Sequence, residues 1–512
     1  MIKLSNGKKI KAITWILSLC VISSLLLSGC GLVDAISEKL FPEEKAEEKA
    51  AFEMEDSENE ATPIIVINSE DIKVEFTADV TPTPEPEPFV YEEIYDDENK
   101  IYSKEAKSLD EAVLTFIGDI SFAEGYSNMS ALYKEGDRIL GCIRPEVLEG
   151  LKDSDIFMAN NEFPYSARGS ARAGKMFTFR AKPESVSYLH DMEVDIVSLG
   201  NNHAYDYGPD ALMDTFDILN EARIPFVGAG RNIDEAMKPV YYKVNGKTIA
   251  YTSATQIERT GSPDTKEATA DSPGVLRTLD SSKMVRCIQD ASANSDFVVV
   301  YVHWGSENTD LVDESQKKLA RDYVSAGADL IIGDHSHCLQ GVDYVDGVPV
   351  IYSLGNFWFN SRTIDTGYVR VTLDTSGNDV SIKNFEFVPC IQRGCHTYLA
   401  DETEKQRILE YFQGISNYAL VASDGHIERS DENHNKQNGA NTSPSREFVR
   451  KTEEEAQDAV EEAAPAAADP MAELLLQQQA LLNGAPGTET ESVPETPPEV
   501  QPAPETPEGQ GE

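Results

Sequence analysis

Tryptophan, cysteine and histidine are scarce in this chain, and positive charge is in deficit. Its 512 residues include eight histidines and three tryptophans, and 44 lysines and arginines stand against 89 aspartates and glutamates. The net charge of −45 excludes nucleic acid and anionic membrane surfaces as electrostatic partners, because either would repel the chain. Much of that acid sits at the two ends, where such runs form a solvated, extended chain. Long hydrophobic runs are missing too: the mostly apolar stretch from Ala12 to Leu27 is too short for a membrane span. Cysteine is sparse. Of seven, Cys20 and Cys30 lie in or just after that stretch, leaving Cys142, Cys287, Cys338, Cys390 and Cys395. An odd remainder leaves at least one thiol unpaired unless another chain supplies a partner, and Cys390 with Cys395 is the nearest pair.

The apolar stretch follows Lys3, Lys8, Lys9 and Lys11 and ends in Leu27-Ser28-Gly29-Cys30. A basic start, a short apolar centre and small residues describe an export signal over 1–29. Its ending resembles the bacterial lipobox. That resemblance implies cleavage before Cys30, lipidation of that cysteine, and an extracytoplasmic protein anchored to the outer face of the bacterial cell membrane without spanning it. Residues 30–110 are rich in Glu, with Pro82, Pro84, Pro86 and Pro88 in alternation, and read as a disordered stalk. Residues 430–512 turn to Asn, Ser, Glu, Ala and Pro and read as a disordered tail, in which Met471 to Leu482 is a short leucine-rich helix former.

The foldable part, 111–429, alternates strand-like and helical runs, which predicts an α/β domain. Helices are expected at Asp210 to Ala222, Glu314 to Ala326 and Glu402 to Ile415. Hairpins are expected at Asn245-Gly246 and Asp346-Gly347, so the sheets are mixed. Five short apolar strands stop abruptly on polar donors: Gly118-Asp119, Asn160-Asn161-Glu162, Gly200-Asn201-Asn202-His203, His303-Trp304-Gly305 and Gly333-Asp334-His335-Ser336-His337. Ligands bind beyond the carboxyl ends of strands in α/β sheets, so these ends are predicted to converge on one pocket. Four of the eight histidines lie there, with Asp119, Glu162 and Asn202. Imidazoles and carboxylates together suit divalent ions such as Mn, Zn or Fe, and a shared carboxylate places two ions where they can acidify a water and clamp an in-line phosphoryl displacement. The His335-x-His337 pair, read as an extended segment, sends both rings to one face. Trp304 is expected to pack. Arg180 and Lys175 are candidates for holding an anionic substrate, Asp206 for orienting His203, and Glu307 for orienting His303.

Several of these segments, in order from Glu111 to Val388, resemble the CapA-type capsule-synthesis proteins associated with poly-γ-glutamate, a branch of the calcineurin-like metallophosphoesterases. They are Phe116-Ile117-Gly118-Asp119-Ile120, Ala159-Asn160-Asn161-Glu162, Phe177 to Glu184, Ser198 to Gly208, Val302 to Glu307, Gly333 to His337 and Tyr352 to Phe357. The resemblance implies a four-layer sandwich of two mixed β-sheets flanked by helices. It implies Asp119 on one metal, Glu162 bridging, Asn202 and His303 on the second, His335 and His337 divided between them, and His203 as general acid or phosphate contact. The superfamily's opening Asp-x-His is not kept, because Ser121 stands where the histidine would be. Asp334 is assigned no role. The function that follows is a surface-anchored metal-dependent hydrolase acting on an anionic envelope polymer or a phosphoester. The alternatives are a non-catalytic accessory subunit of a polymer synthase or export complex and a general extracellular phosphoesterase or nucleotidase.

Overall fold

A run such as Val298-Val299-Val300-Tyr301-Val302 is apolar on both sides, the pattern of a parallel strand covered on both faces. The computed structural model describes residues 91–437, apart from 137 and 259–264, and places such runs in two mixed sheets of eight strands each. In the first, Glu111–Ile120, Ile156–Asn161, Ile196–Ser198 and Phe226–Val227 are parallel neighbours. Antiparallel Ile364–Asp374, Ser381–Arg393 and His396–Leu399 extend it on the other side of Glu111–Ile120. In the second, Lys247–Thr255, Phe297–His303, Leu330–Asp334 and Val348–Leu354 are parallel. Val240–Val244 and Leu339–Val345 join it through the two expected hairpins, whose turns place Asn245, Gly246, Asp346 and Gly347 at positive φ.

Alternation along the strands makes the layers. Leu114, Phe116 and Met158 of the first sheet share a core with Val299, Tyr301 and Ile332 of the second. Their sequence neighbours Ile117 and Phe157 turn outward onto Val147, Leu151, Leu212 and Phe216 of the helices Pro145–Lys152 and Gly208–Glu221. On the opposite outside, Val298, Val300 and Val302 meet Met284, Ile288, Leu319 and Tyr323 of Ser282–Ala293 and Glu314–Ala326. The result is helix, sheet, sheet, helix, held by one inner and two outer cores. The third expected helix, Glu402–Ile415, starts on an Asp401 capping box and is tied to Asp365 by the paired guanidinium bonds of Arg407.

The folded part is longer at both ends than composition places it. Residues 91–110, assigned above to the stalk, include Ile101–Ser103, which pairs parallel with Val240–Val244 and buries Tyr102 against Tyr242. An added edge strand needs only three residues of pattern, and flanking Asp and Glu hide them. Past 429, Ser430, His434 and Lys436 donate backbone hydrogen bonds to Tyr418, Asn417 and Gly414. The five cysteines from Cys142 onward are all free, including Cys390 and Cys395. Cys390 faces Leu399 along a ladder, whereas Cys395 sits in the turn beyond the closing pair Arg393 and His396, so the hairpin itself separates them. Cys30, the export signal, the rest of the stalk and the Met471 to Leu482 segment lie outside the described residues.

Candidate metal centre

All five strand ends meet at one edge of the sandwich. Asp119 stands beside Asn160 across one parallel ladder, and His303 beside Asp334 across another. Between the sheets the chain itself crosses at Gly355, leaving Val348–Leu354 in one and entering Asn356–Trp358 in the other. That crossing is tight: the Asp119 amide donates to Gly355 O at 3.0 Å, and a Cβ on Gly118 would lie 1.9 Å from the same oxygen. Only glycine at 118 lets the two sheets close on the site.

The donors form three overlapping groups, Asp119 with Glu162 and His337, Glu162 with His303 and His335, and Glu307 with His335 and His337. Within each group the ligand atoms lie inside 4.8 Å of one another. His303 Nε2 is 2.8 Å from Asn202 Oδ1, 3.0 Å from His335 Nδ1 and 3.4 Å from Glu162 Oε1. His337 Nδ1 is 3.1 Å from Asp119 Oδ2 and 2.8 Å from Asn356 Oδ1. His203 Nε2 lies 3.8 Å from Glu162 Oε1, while its Nδ1 is 2.6 Å from Asp206 Oδ2. Since a carboxylate only accepts, Nδ1 carries the proton and Nε2 faces the centre.

Charge explains why this assembly wants a cation. Glu162 is fully buried and both its carboxylate oxygens lack any hydrogen-bond donor. Burial, then the charges of Asp119 and Asp334, push its carboxyl well above the usual range. Asp334 is raised too, by burial and then by Asp119. Burial also opposes ionisation of Asp119, but the hydrogen bond and charge of His337, with His303, outweigh it and hold the group at about 2. Burial pushes His303 down to about 3, leaving neutral imidazole lone pairs. Burial also lowers His203, against the pull of Asp206. Crowded carboxylates, neutral imidazoles and an orphaned buried Glu162 together fit divalent cations, which replace protons as the relief for that repulsion.

The remaining expected residues fall differently. Lys175 is spent inside the wall: its Nζ is 2.6 Å from both Asp206 Oδ1 and Asn202 O. Arg180 lies half-buried over the Tyr207 ring at 4.1 Å and donates to Arg168 O. Glu307 stands beside His335 and His337, not His303, because the turn after Trp304 carries it across to the histidine loop. The His335-x-His337 segment is not extended. The strand ends at Asp334, and His335 and His337 adopt φ of 94° and 57°, so left-handed backbone rather than strand alternation gathers the rings. Trp304 packs as expected, its indole N–H on Tyr352 O. Four supporting residues were not foreseen. Asn160 Nδ2 donates to Asp119, Asn356 Oδ1 meets His337, Asp334 accepts from Tyr301, and Phe179 lies 4.2 Å from the His203 ring. The Asn-Asn of Asn160-Asn161-Glu162 and the Gly355-Asn356 step were the available signals.

The family of bacterial capsule synthesis proteins, PGA_cap, matches residues 113–361. The PGA biosynthesis protein CapA of Bacillus subtilis (strain 168) is 32% identical over 337 residues, covering 64% of this chain and 85% of that protein. The capsule biosynthesis protein CapA of Bacillus anthracis is 32% identical over 307 residues, covering 58% and 71%. A probable polyglutamine synthesis accessory protein of Mycobacterium tuberculosis is 26% identical over 248 residues, covering 45% and 65%.

Proposed function

We propose a function from one premise: this chain belongs to the family of bacterial capsule synthesis proteins, PGA_cap. On that premise it is a metal-dependent hydrolase of the cell envelope, acting in synthesis, export or remodelling of poly-γ-glutamate. The observation that supports this most is Glu162, a buried carboxylate with both oxygens unpartnered amid imidazoles and a second carboxylate.

Two divalent ions held by Asp119, Glu162, Asn202, His303, His335 and His337 would supply Lewis acidity and an acidified water. The chain's own part is proton handling and orientation. His203 exchanges a proton at Nε2 with the reacting group, and Asp206, bonded to Nδ1, stabilises the imidazolium that forms. Lys175 holds Asp206 in place, and Phe179 both covers the ring and donates its backbone N–H to Asp206. Arg180, at the rim, is the expected contact for an anionic substrate.

A second reading, an accessory subunit without catalysis, is favoured by one feature: position 121 carries a serine, whose Oγ accepts from the Ala123 amide, and so offers no imidazole. Purified protein supplied with Mn or Zn, assayed on γ-linked glutamate oligomers and phosphoesters with and without chelator, separates the two. Chelator-sensitive turnover that falls by about 100-fold or more in His203→Ala is expected for the enzyme. An inert wild type with metal bound, in cells where His203→Ala still makes polymer, establishes the accessory. Nucleotide turnover with no effect on surface polymer establishes a scavenging phosphoesterase.

A further inference from the structure

Three groups of donors meet in the centre, and one contains a residue that the ligand set above does not use. Glu307, Nterminal neighbour of Asn308 in the turn after Trp304, brings a carboxylate oxygen within 4.8 Å of ligand nitrogens of both His335 and His337. It is exposed, while His335 is buried. The turn that carries it is clamped to the turn that carries the histidines. The Asn308 amide donates to Ser336 O at 2.7 Å, the Trp304 amide donates to Asp334 O, and the Arg362 guanidinium donates to the Asn308 side chain at 2.7 Å. Positive φ at Gly305, Asn308, His335 and His337 marks the same pair of turns. Non-glycine residues hold that backbone only where surrounding bonds over-determine it, so the juxtaposition of Glu307 with the two rings is built rather than incidental.

The opposite side of the centre is short of a donor. Ser121 is buried, but its hydroxyl is turned to the Ala123 amide and its carbonyl receives the Asn128 amide group. Position 121 therefore adds no imidazole or carboxylate to the group of Asp119, Glu162 and His337.

We propose that Glu307 is a metal ligand: from the His335 and His337 side, its carboxylate supplies the donor that Ser121 does not. This rests on the metal-centre reading above. An exposed carboxylate reached from solvent makes that ion the more exchangeable of the two, whereas the ion of Glu162, His303 and His335 sits among fully buried donors.

The test is metal binding by the full-length protein, read as stoichiometry and as affinity by chelator competition with Mn and with Zn. Wild type is expected to bind two ions. Glu307→Gln is expected to keep one at wild-type affinity and to weaken the other by about 10-fold to 100-fold, with Glu307→Asp recovering part of the loss. A melting curve of each metal-free variant matching wild type shows that the fold is kept. Two ions in Glu307→Gln at unchanged affinity overturn the proposal and leave the metal centre standing. No ion in wild type overturns the centre itself, and equal weakening of both ions overturns the assignment to one.

Discussion

Glu162 ties the chemistry of the centre to the stability of the fold. Its carboxyl and that of Asp334 are held above their ordinary range, so the metal-free fold keeps protons that the unfolded chain gives up. The stability they contribute is complete below about pH 4 and is lost as pH rises through the raised values. His337, also raised, acts in the same direction from about pH 6.5. His203 and His303 are depressed and act oppositely, but their contribution is complete once the unfolded histidines have lost their protons, near pH 6.5. Lys100, buried with its Nζ on Phe226 O and pushed down to about 8, adds stability only above that. Between pH 6.5 and 8 the metal-free protein is therefore expected to melt at progressively lower temperature, and Mn or Zn to remove the slope. In chelator at pH 8, Glu162→Gln should be more stable than wild type by about 1 to 2 kcal/mol, because it replaces a buried carboxyl that must either hold its proton against the solvent or carry an unpaired charge. A metal-free wild type with a flat profile, or a less stable Glu162→Gln, contradicts this account of the electrostatics.

Elements differ in how much of their pairing composition reveals. Phe297–His303 and Leu330–Asp334 are apolar up to their last residues and lie buried between two layers, so their pattern alone identifies them. Glu402–Ile415 announces itself through its capping box. Ile101–Ser103 does not, since it joins a sheet nucleated elsewhere and contributes one buried ring, Tyr102. If that strand belongs to the fold, Tyr102→Ala should cost about 3 kcal/mol in denaturant unfolding, as truncation of a buried aromatic does. A stalk residue would show no change. The site's ligands divide in the same way. Asp119, Glu162 and His303 sit at ends that hydrophobic pattern locates. His335 and His337 converge through positive φ, and Glu307 through a turn clamped to theirs, neither of which any spacing encodes.

The whole chain carries −45, yet the loop from Arg168 to Lys182 beside the centre holds Arg168, Arg172, Lys175, Arg180 and Lys182. Of these, Arg168 is paired with Asp214, Lys175 with Asp206 and Lys182 with Glu124, so any local attraction for an anion would fall to Arg172 and Arg180. Among the described residues no helix is long and apolar enough to cross a membrane. Attachment, if it follows the lipobox-like ending, depends on Cys30. Cys30→Ala is expected to move the protein from the membrane fraction to the medium or periplasm, and retention in the membrane fraction would dismiss the anchor.

Sequence alone determined the α/β class, the five ligand-bearing strand ends and the donor types, because hydrophobic periodicity and the chemistry of His, Asp and Glu are properties of neighbouring residues. Tertiary structure alone decided that Lys175 is spent on Asp206, that Glu307 faces His335 and His337, and that Ile101–Ser103 joins a sheet. Those outcomes depend on which distant segments pack together, and burial, charge crowding and close approach at Gly118 and Gly355 exist only once they do.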